Sequence, residues 1–223
     1  LEPFTVSSPE NILNAPRPAP VSLRHVFGHM VPDLVLGALA QALPGRILAE
    51  GAGALWNIHM SVRPMTGQAG RRAEILMFNS GGMGARPEQD GLNATAFPSG
   101  VMTMPIEATE HAGPVVIWRK ELRPDSAGDG QYRGGLGQVI EIEPAKGHEM
   151  DFSAMFDRTL NAPRGRNGGK DGTKGTVALD DGTALKPKGW QHVPGGRRLV
   201  LHLPGGGGYG DPALRSGEAR AND

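Results

Sequence analysis

Apolar residues near the start of the chain keep a helical rhythm, and the remainder abandons it. Val21 and Ser22 precede Leu23, Phe27, Met30 and Val31, and Leu34, Leu36, Ala38, Leu39 and Leu43 continue the series. Spacings of three and four place such residues along one side of a helix. Pro32 lacks an amide donor, so the pattern predicts a short helix ending near His29 and a second one capped by Asp33. Pro44-Gly45 closes it. The expectation is one broken helix or helical hairpin.

From Gly45 onward, short apolar or alternating runs recur between clusters of Gly, Pro and Asp. Strands are predicted over Leu55–Val62, Ala73–Phe78, Val115–Leu122, Gln138–Ile142, Met150–Phe156, Gly175–Leu179 and Leu199–Leu203. Asp181-Gly182 has the chemistry of a tight hairpin turn. The predicted fold is therefore α+β and β-rich: an irregular sandwich or barrel-like set of layers, with the helical element packed at one end. No repeat of fixed period is present.

The flanks read differently. Residues 1–20 hold five prolines and predict an extended strap. Residues 21–212 form the expected lobe, and 213–223 a polar tail, frayed from Arg215 to Asp223. The first residue is Leu1 rather than methionine, which suggests a piece of something longer. No secretion leader is visible at the start, and a cytoplasmic location is expected.

Composition narrows the function classes. The 34 glycines and 19 prolines among 223 residues make a turn-dense chain. The 23 basic and 23 acidic residues cancel, which argues against nucleic acid or a membrane surface as partner, since both recruit a basic excess. Leu34–Leu43, the longest apolar run, is too short to span a bilayer. Cysteine is absent, excluding a disulfide scaffold, a thiolate zinc site and a cysteine nucleophile.

Several motifs fail on inspection. His25 and His29 stand four apart, a metal-gripping spacing on a helix, but Val26 occupies the glutamate position of HExxH and a third ligand is missing. A surface or packing role fits better. Gly205–Gly210 satisfies GxGxxG formally, yet Asp211-Pro212 follows at once and leaves no helix to hold a pyrophosphate. Arg164–Lys174 lacks both the first glycine and the final Ser/Thr of a Walker loop, and no GxSxG elbow occurs.

Two glycine loops remain. Asn79–Pro87 carries Gly81, Gly82, Gly84 and Arg86, and Arg133–Gly137 carries Gly134 and Gly135. Such loops can turn amides inward as an anion nest beside an arginine fork. Equally, glycines can serve only to permit tight turns and close packing. Glu107, Glu110 and His111 form an acid–imidazole cluster that can divide acid and base roles if buried, and is merely solvated if exposed. Arg123-Pro124-Asp125-Ser126 reads as a capped turn, and Asp157-Arg158 as an ion pair holding a loop.

Taken together and in order, these segments resemble the hydantoinase B family. The resemblance rests on Gly81–Arg86 with Asp90-Gly91, Pro105-Ile106-Glu107, Glu121–Ser126, Tyr132–Gly137, Asp157-Arg158 and Pro204–Pro212. The family includes N-methylhydantoinase B subunits, the C-terminal part of 5-oxoprolinase, and acetone and acetophenone carboxylase subunits. Each motif is weak alone; their order and gaps are specific, from about Pro9 to Pro212.

The resemblance implies the C-terminal half of a subunit more than twice as long. It implies an ATP-dependent hydrolase of cyclic amides, in which phosphorylation of the amide oxygen precedes ring opening. ATP would be used by a hydantoinase A-type partner, and a divalent metal would belong to the other half of the subunit, so this chain itself is expected to hold no cofactor or metal. Groups suited to phosphate oxyanions are Gly82, Gly84, Arg86, Arg133, Gly134, Gly135 and Arg158, with no catalytic residue assigned. Expected partners are the A-type subunit, the other half of its own subunit, and a lactam, hydantoin or ketone substrate, within an oligomer. The alternatives are a non-catalytic assembly lobe and part of an ATP-dependent ketone carboxylase.

Overall fold

The computed structural model describes residues 16–18, 24–53 and 55–221. Apart from 16–18, the predicted strap lies outside the described residues. Helix α1 (Arg24–Ala42) is followed by β1 (Trp56–Pro64), β2 (Ala73–Asn79), α2 (Ile106–Ala112), β3 (Val115–Leu122) and β4 (Gln138–Pro144). Then come β5 (His148–Met155), β6 (Thr176–Leu179), β7 (Lys188–Val193), β8 (Leu199–His202) and a short terminal helix, α3 (Gly217–Ala221).

Period-two alternation builds the sheets. Along β1, Trp56, Ile58, Met60 and Val62 are buried, and on β5 Met150, Phe152 and Ala154 answer them. Antiparallel pairing orders one sheet as β2-β1-β5-β7 and the other as β3-β4-β8-β6. Ile117, Ile140, Ile142, Leu199 and Leu201 from the second sheet join the same buried cluster. Two sheets sharing one core make a sandwich, as predicted, and neither sheet closes into a barrel. Trp56 and Phe156 stack in that core at 4.3 Å and 14°. The Asp181-Gly182 turn is present: Gly182 adopts a φ of +85° and its amide bonds Leu179 at 2.9 Å.

Three expectations need correction. The helix is not broken at Pro32; α1 runs through it. The carbonyl that Pro32 leaves unpaired belongs to Gly28, on an exposed turn where water can replace the bond. Asp33 is thus inside the helix and caps nothing. Strand β7 has no predicted counterpart, because it is an edge whose only buried residue is Val193. The tail is tied down at its start rather than frayed, and 222–223 lie outside the described residues. Arg215, its side chain 8% exposed, donates to both carboxylate oxygens of Asp90 at 2.9 Å.

Candidate functional site: a cleft beside α1

The N-terminal end of α1 meets the first sheet. Val26 and His29 are buried, and His25 meets Asn57 of β1 and the edge of Phe78. Farther along, the helix stands off the body and leaves a cleft of about 950 Å3. Phe27, Met30, Leu34 and Ala38 form its apolar wall; Glu50, Arg158, Arg164 and Arg166 form the opposite side.

Arg158 organises the floor. Its Nη2 donates to Asp33 Oδ2 at 3.0 Å and its Nη1 to Glu50 Oε2 at 3.0 Å. Arg158 adopts a φ of +58°, an uncommon conformation for a residue with a Cβ. Glu50 Oε1 accepts from Arg164 Nε at 2.7 Å, and the Arg164 amide donates to Oε2 at 3.1 Å. Arg166 donates through Nε to the Leu48 carbonyl at 2.8 Å, leaving its terminal nitrogens toward Gly37 and the cleft.

The two carboxylates are driven apart. Burial pushes Asp33 up, and Arg158 offsets only part of that, so its carboxyl holds a proton above the usual range. Burial also acts on Glu50, but the bonds from Arg164 and the charge of Arg158 outweigh it, and Glu50 stays below its ordinary value. One group ready to hold a proton beside one fixed as an anion is the division of labour that acid–base chemistry uses.

Of the seven predicted site residues, Arg158 is the one that lines this cleft. It does not pair with Asp157, which instead takes Lys188 at 2.7 Å. The glycine loops do not form an open anion nest, a further correction. Gly82, Gly134 and Gly135 are buried, and their amides donate to Pro204, Gly128 and Met83 at 2.9, 3.0 and 2.8 Å. A Cβ on Gly82 would lie 1.9 Å from the Gly135 carbonyl oxygen, and one on Gly84 1.9 Å from that of Ala49. These glycines let backbones touch. Arg86 bonds the Asp90 carbonyl at 2.8 Å, and Arg133 bonds its neighbour Gly134 at 3.1 Å while its amide donates to Asp90. Gly205–Gly208 belongs to the same backbone-packed layer.

The other candidates resolve plainly. Glu107, Glu110 and His111 sit on exposed α2, where Glu110 accepts from the Ile117 amide at 2.8 Å. Ser126 is buried and closes its turn, donating to Arg123 and accepting from the Gly137 amide. Burial lowers the His29 pKa despite a bond to the Phe97 backbone. Among the described residues no three His, Asp or Glu side chains could hold a metal ion, so His25 and His29 do not assemble a centre with Asp33. Sequence reasoning missed Asp33 as a site residue, and Glu50, Arg164 and Arg166 altogether. No motif surrounds them; they meet only because α1 crosses the loop after β5.

The chain belongs to the Hydantoinase B/oxoprolinase family, whose model matches residues 1–212. A protein of Pseudomonas sp. (strain NS671), provisionally named as the B component of a D-/L-hydantoinase, is 30% identical and matches 100% of this chain. The beta chain of caprolactamase from Pseudomonas jessenii is 30% identical over 92% of the chain. The crystal structure of ATP-dependent caprolactamase from Pseudomonas jessenii superposes with a TM-score of 0.76 at 28% identity, covering 94% of this chain. The chain spans only 38%, 37% and 38% of these three. Among the described residues no helix is long and apolar enough to cross a membrane.

Proposed function

We propose that this chain is part of an ATP-dependent hydrolase that opens cyclic amides, and that the cleft beside α1 is its contribution to the substrate site. One observation carries the reading: within a family of oxoprolinases and hydantoinases, an apolar helix wall faces a floor of arginines and two electrostatically split carboxylates. Ring methylenes suit Met30, Leu34 and Ala38. Arg164 and Arg166 suit the charge that phosphorylation places on the amide oxygen. Water adds to the carbon of the phosphorylated amide, the C–N bond breaks and phosphate leaves, giving the open-chain carboxylate; the departing nitrogen takes a proton, and in this reading Asp33 supplies it.

ATP is used by a hydantoinase A-type partner in this proposal, the metal belongs to the other portion of the subunit, and the assembly works in the cytoplasm. The donor set described above offers no metal site, so no step here runs through one. The arginine–carboxylate floor also ties α1 to the body, and that bond pattern favours the second reading, a lobe that serves assembly alone.

The test is a ring-opening assay on caprolactam, 5-oxoproline and hydantoin, with the chain assembled with the remainder of its subunit and the A-type partner. ATP-dependent opening of one of these supports the proposal. Turnover by the isolated 223-residue chain would contradict it.

A further inference from the structure

Helix α1 is apolar all the way round. Val26 and His29 are buried, yet Phe27, Val31, Val35, Leu39 and, just past the helix end, Leu43 stand four apart along a ridge that winds round the helix. These side chains are 41, 38, 51, 42 and 37% exposed, and Leu34 beside them is 65% exposed. From Leu34 to Leu43 there is no charged residue, and the single acid of the helix, Asp33, is bound to Arg158. A helix with no polar face belongs inside a protein, not at its surface.

We infer that this stripe is the seat of the remaining portion of the family-length subunit, supplied by the same chain or as a separate polypeptide. The occupant follows from three observations. In the caprolactamase structure, the counterpart of this chain makes up 38% of the matched polypeptide. The stripe continues into the cleft, whose wall shares Phe27, Val31 and Leu34, so a segment laid on α1 also roofs the site and excludes water. The stripe carries no charge, so the facing surface must be apolar, and among the described residues no helix, α1 included, is both long and apolar enough to cross a membrane. The inference rests on family membership and is independent of the chemistry proposed for the cleft.

The test mixes the tagged chain with the remaining portion of the same subunit, encoded by the source genome and expressed separately. Mass in solution and binding affinity are measured. The expected result is a one-to-one complex that Val35→Asp/Leu39→Asp weakens by about 100-fold or more. The melting temperature of the chain alone should stay within about 2 °C, since both side chains already face solvent. Trp190→Asp, on an exposed face of β7, should bind as the unaltered chain does. Hydrogen exchange over 27–43 should slow only in the complex. The inference fails if the two polypeptides do not associate or if the double variant binds equally well. It fails also if the chain alone forms a symmetric dimer, or binds neutral phosphatidylcholine vesicles, and the double variant abolishes that association.

Discussion

Arg158 Nη2 reaches Asp33 Oδ2 at 3.0 Å across 125 residues of chain, both side chains 11% exposed. That contact fixes the distance between α1 and the loop after β5. The same guanidinium holds Glu50, whose side chain is 5% exposed. Removing Arg158 by Arg158→Ala leaves two buried carboxylates facing each other. A loss of about 3–5 kcal/mol is expected, the usual size when one partner of a buried ion pair is deleted. Chemical denaturation at neutral pH measures it.

The two acids should respond to pH with opposite signs. Asp33 holds its proton more firmly folded than unfolded, so stability from this group is greatest at low pH and declines as pH rises above the ordinary carboxylate range. Asp33→Asn should therefore gain on the unaltered chain as pH rises above the ordinary carboxylate range. Glu50 has the reverse shift: its stabilisation is present above the unfolded pKa and lost as pH falls through the folded one. Glu50→Gln should be most harmful near neutrality, by about 3 kcal/mol, and should converge on the unaltered chain in acid. Denaturation midpoints from acid to neutral pH settle the signs; parallel curves for the two variants would show the carboxylates are not split.

The tail clamp is also acid-sensitive. Burial alone would raise Asp90, but the bonds from Arg215 and the Arg133 amide leave it below its usual value. The clamp's stability is present at neutral pH and fades as Asp90 protonates. Arg215→Ala should cost about 1 kcal/mol, since Asp90 is 38% exposed and screened by water. Proteolysis should then cut near residue 215 at neutral pH as readily as it cuts the unaltered chain in acid.

Backbone contact among the glycine loops makes a separate expectation. Gly135→Ala would place a methyl 2.0 Å from the Leu92 carbonyl oxygen, and Gly206→Ala would place one 2.0 Å from that of Met83. Neither oxygen belongs to a flexible side chain. Each change should destabilise by about 3 kcal/mol, at the upper end of overpacking losses, or prevent folding. Melting curves of these variants beside Gly45→Ala, which meets nothing within 4 Å, separate crowding from the strain of a left-handed turn.

Much of the sandwich was legible because strands with one buried face write their alternation into the sequence. Trp56, Ile58, Met60 and Val62 announce β1 without help from any neighbour. Edge strand β7 buries Val193 alone, so nothing periodic marks it. Pro32 misled because a helix can pass a proline wherever water reaches the orphaned carbonyl. The cleft was the least legible part. Asp33, Glu50 and Arg158 lie far apart in sequence, and their significance is the salt-bridge geometry that only tertiary packing creates. The glycine motifs were legible as motifs but not as roles: the same Gly-Gly spelling suits a nest or a close approach, and the amides of Gly82, Gly134 and Gly135 are already spent.

The most direct measurement compares Arg166→Ala with Arg133→Ala in the assembled enzyme, following ATP-dependent ring opening. If the cleft beside α1 is the site, Arg166→Ala should lower kcat/KM by about 10²-fold, the size expected for one positioned donor to a developing anion. Arg133→Ala, whose guanidinium is turned to the Gly134 carbonyl, should stay within about twofold. The opposite pattern, with Arg133 essential and Arg166 dispensable, would return the chemistry to the glycine loops and contradict the account.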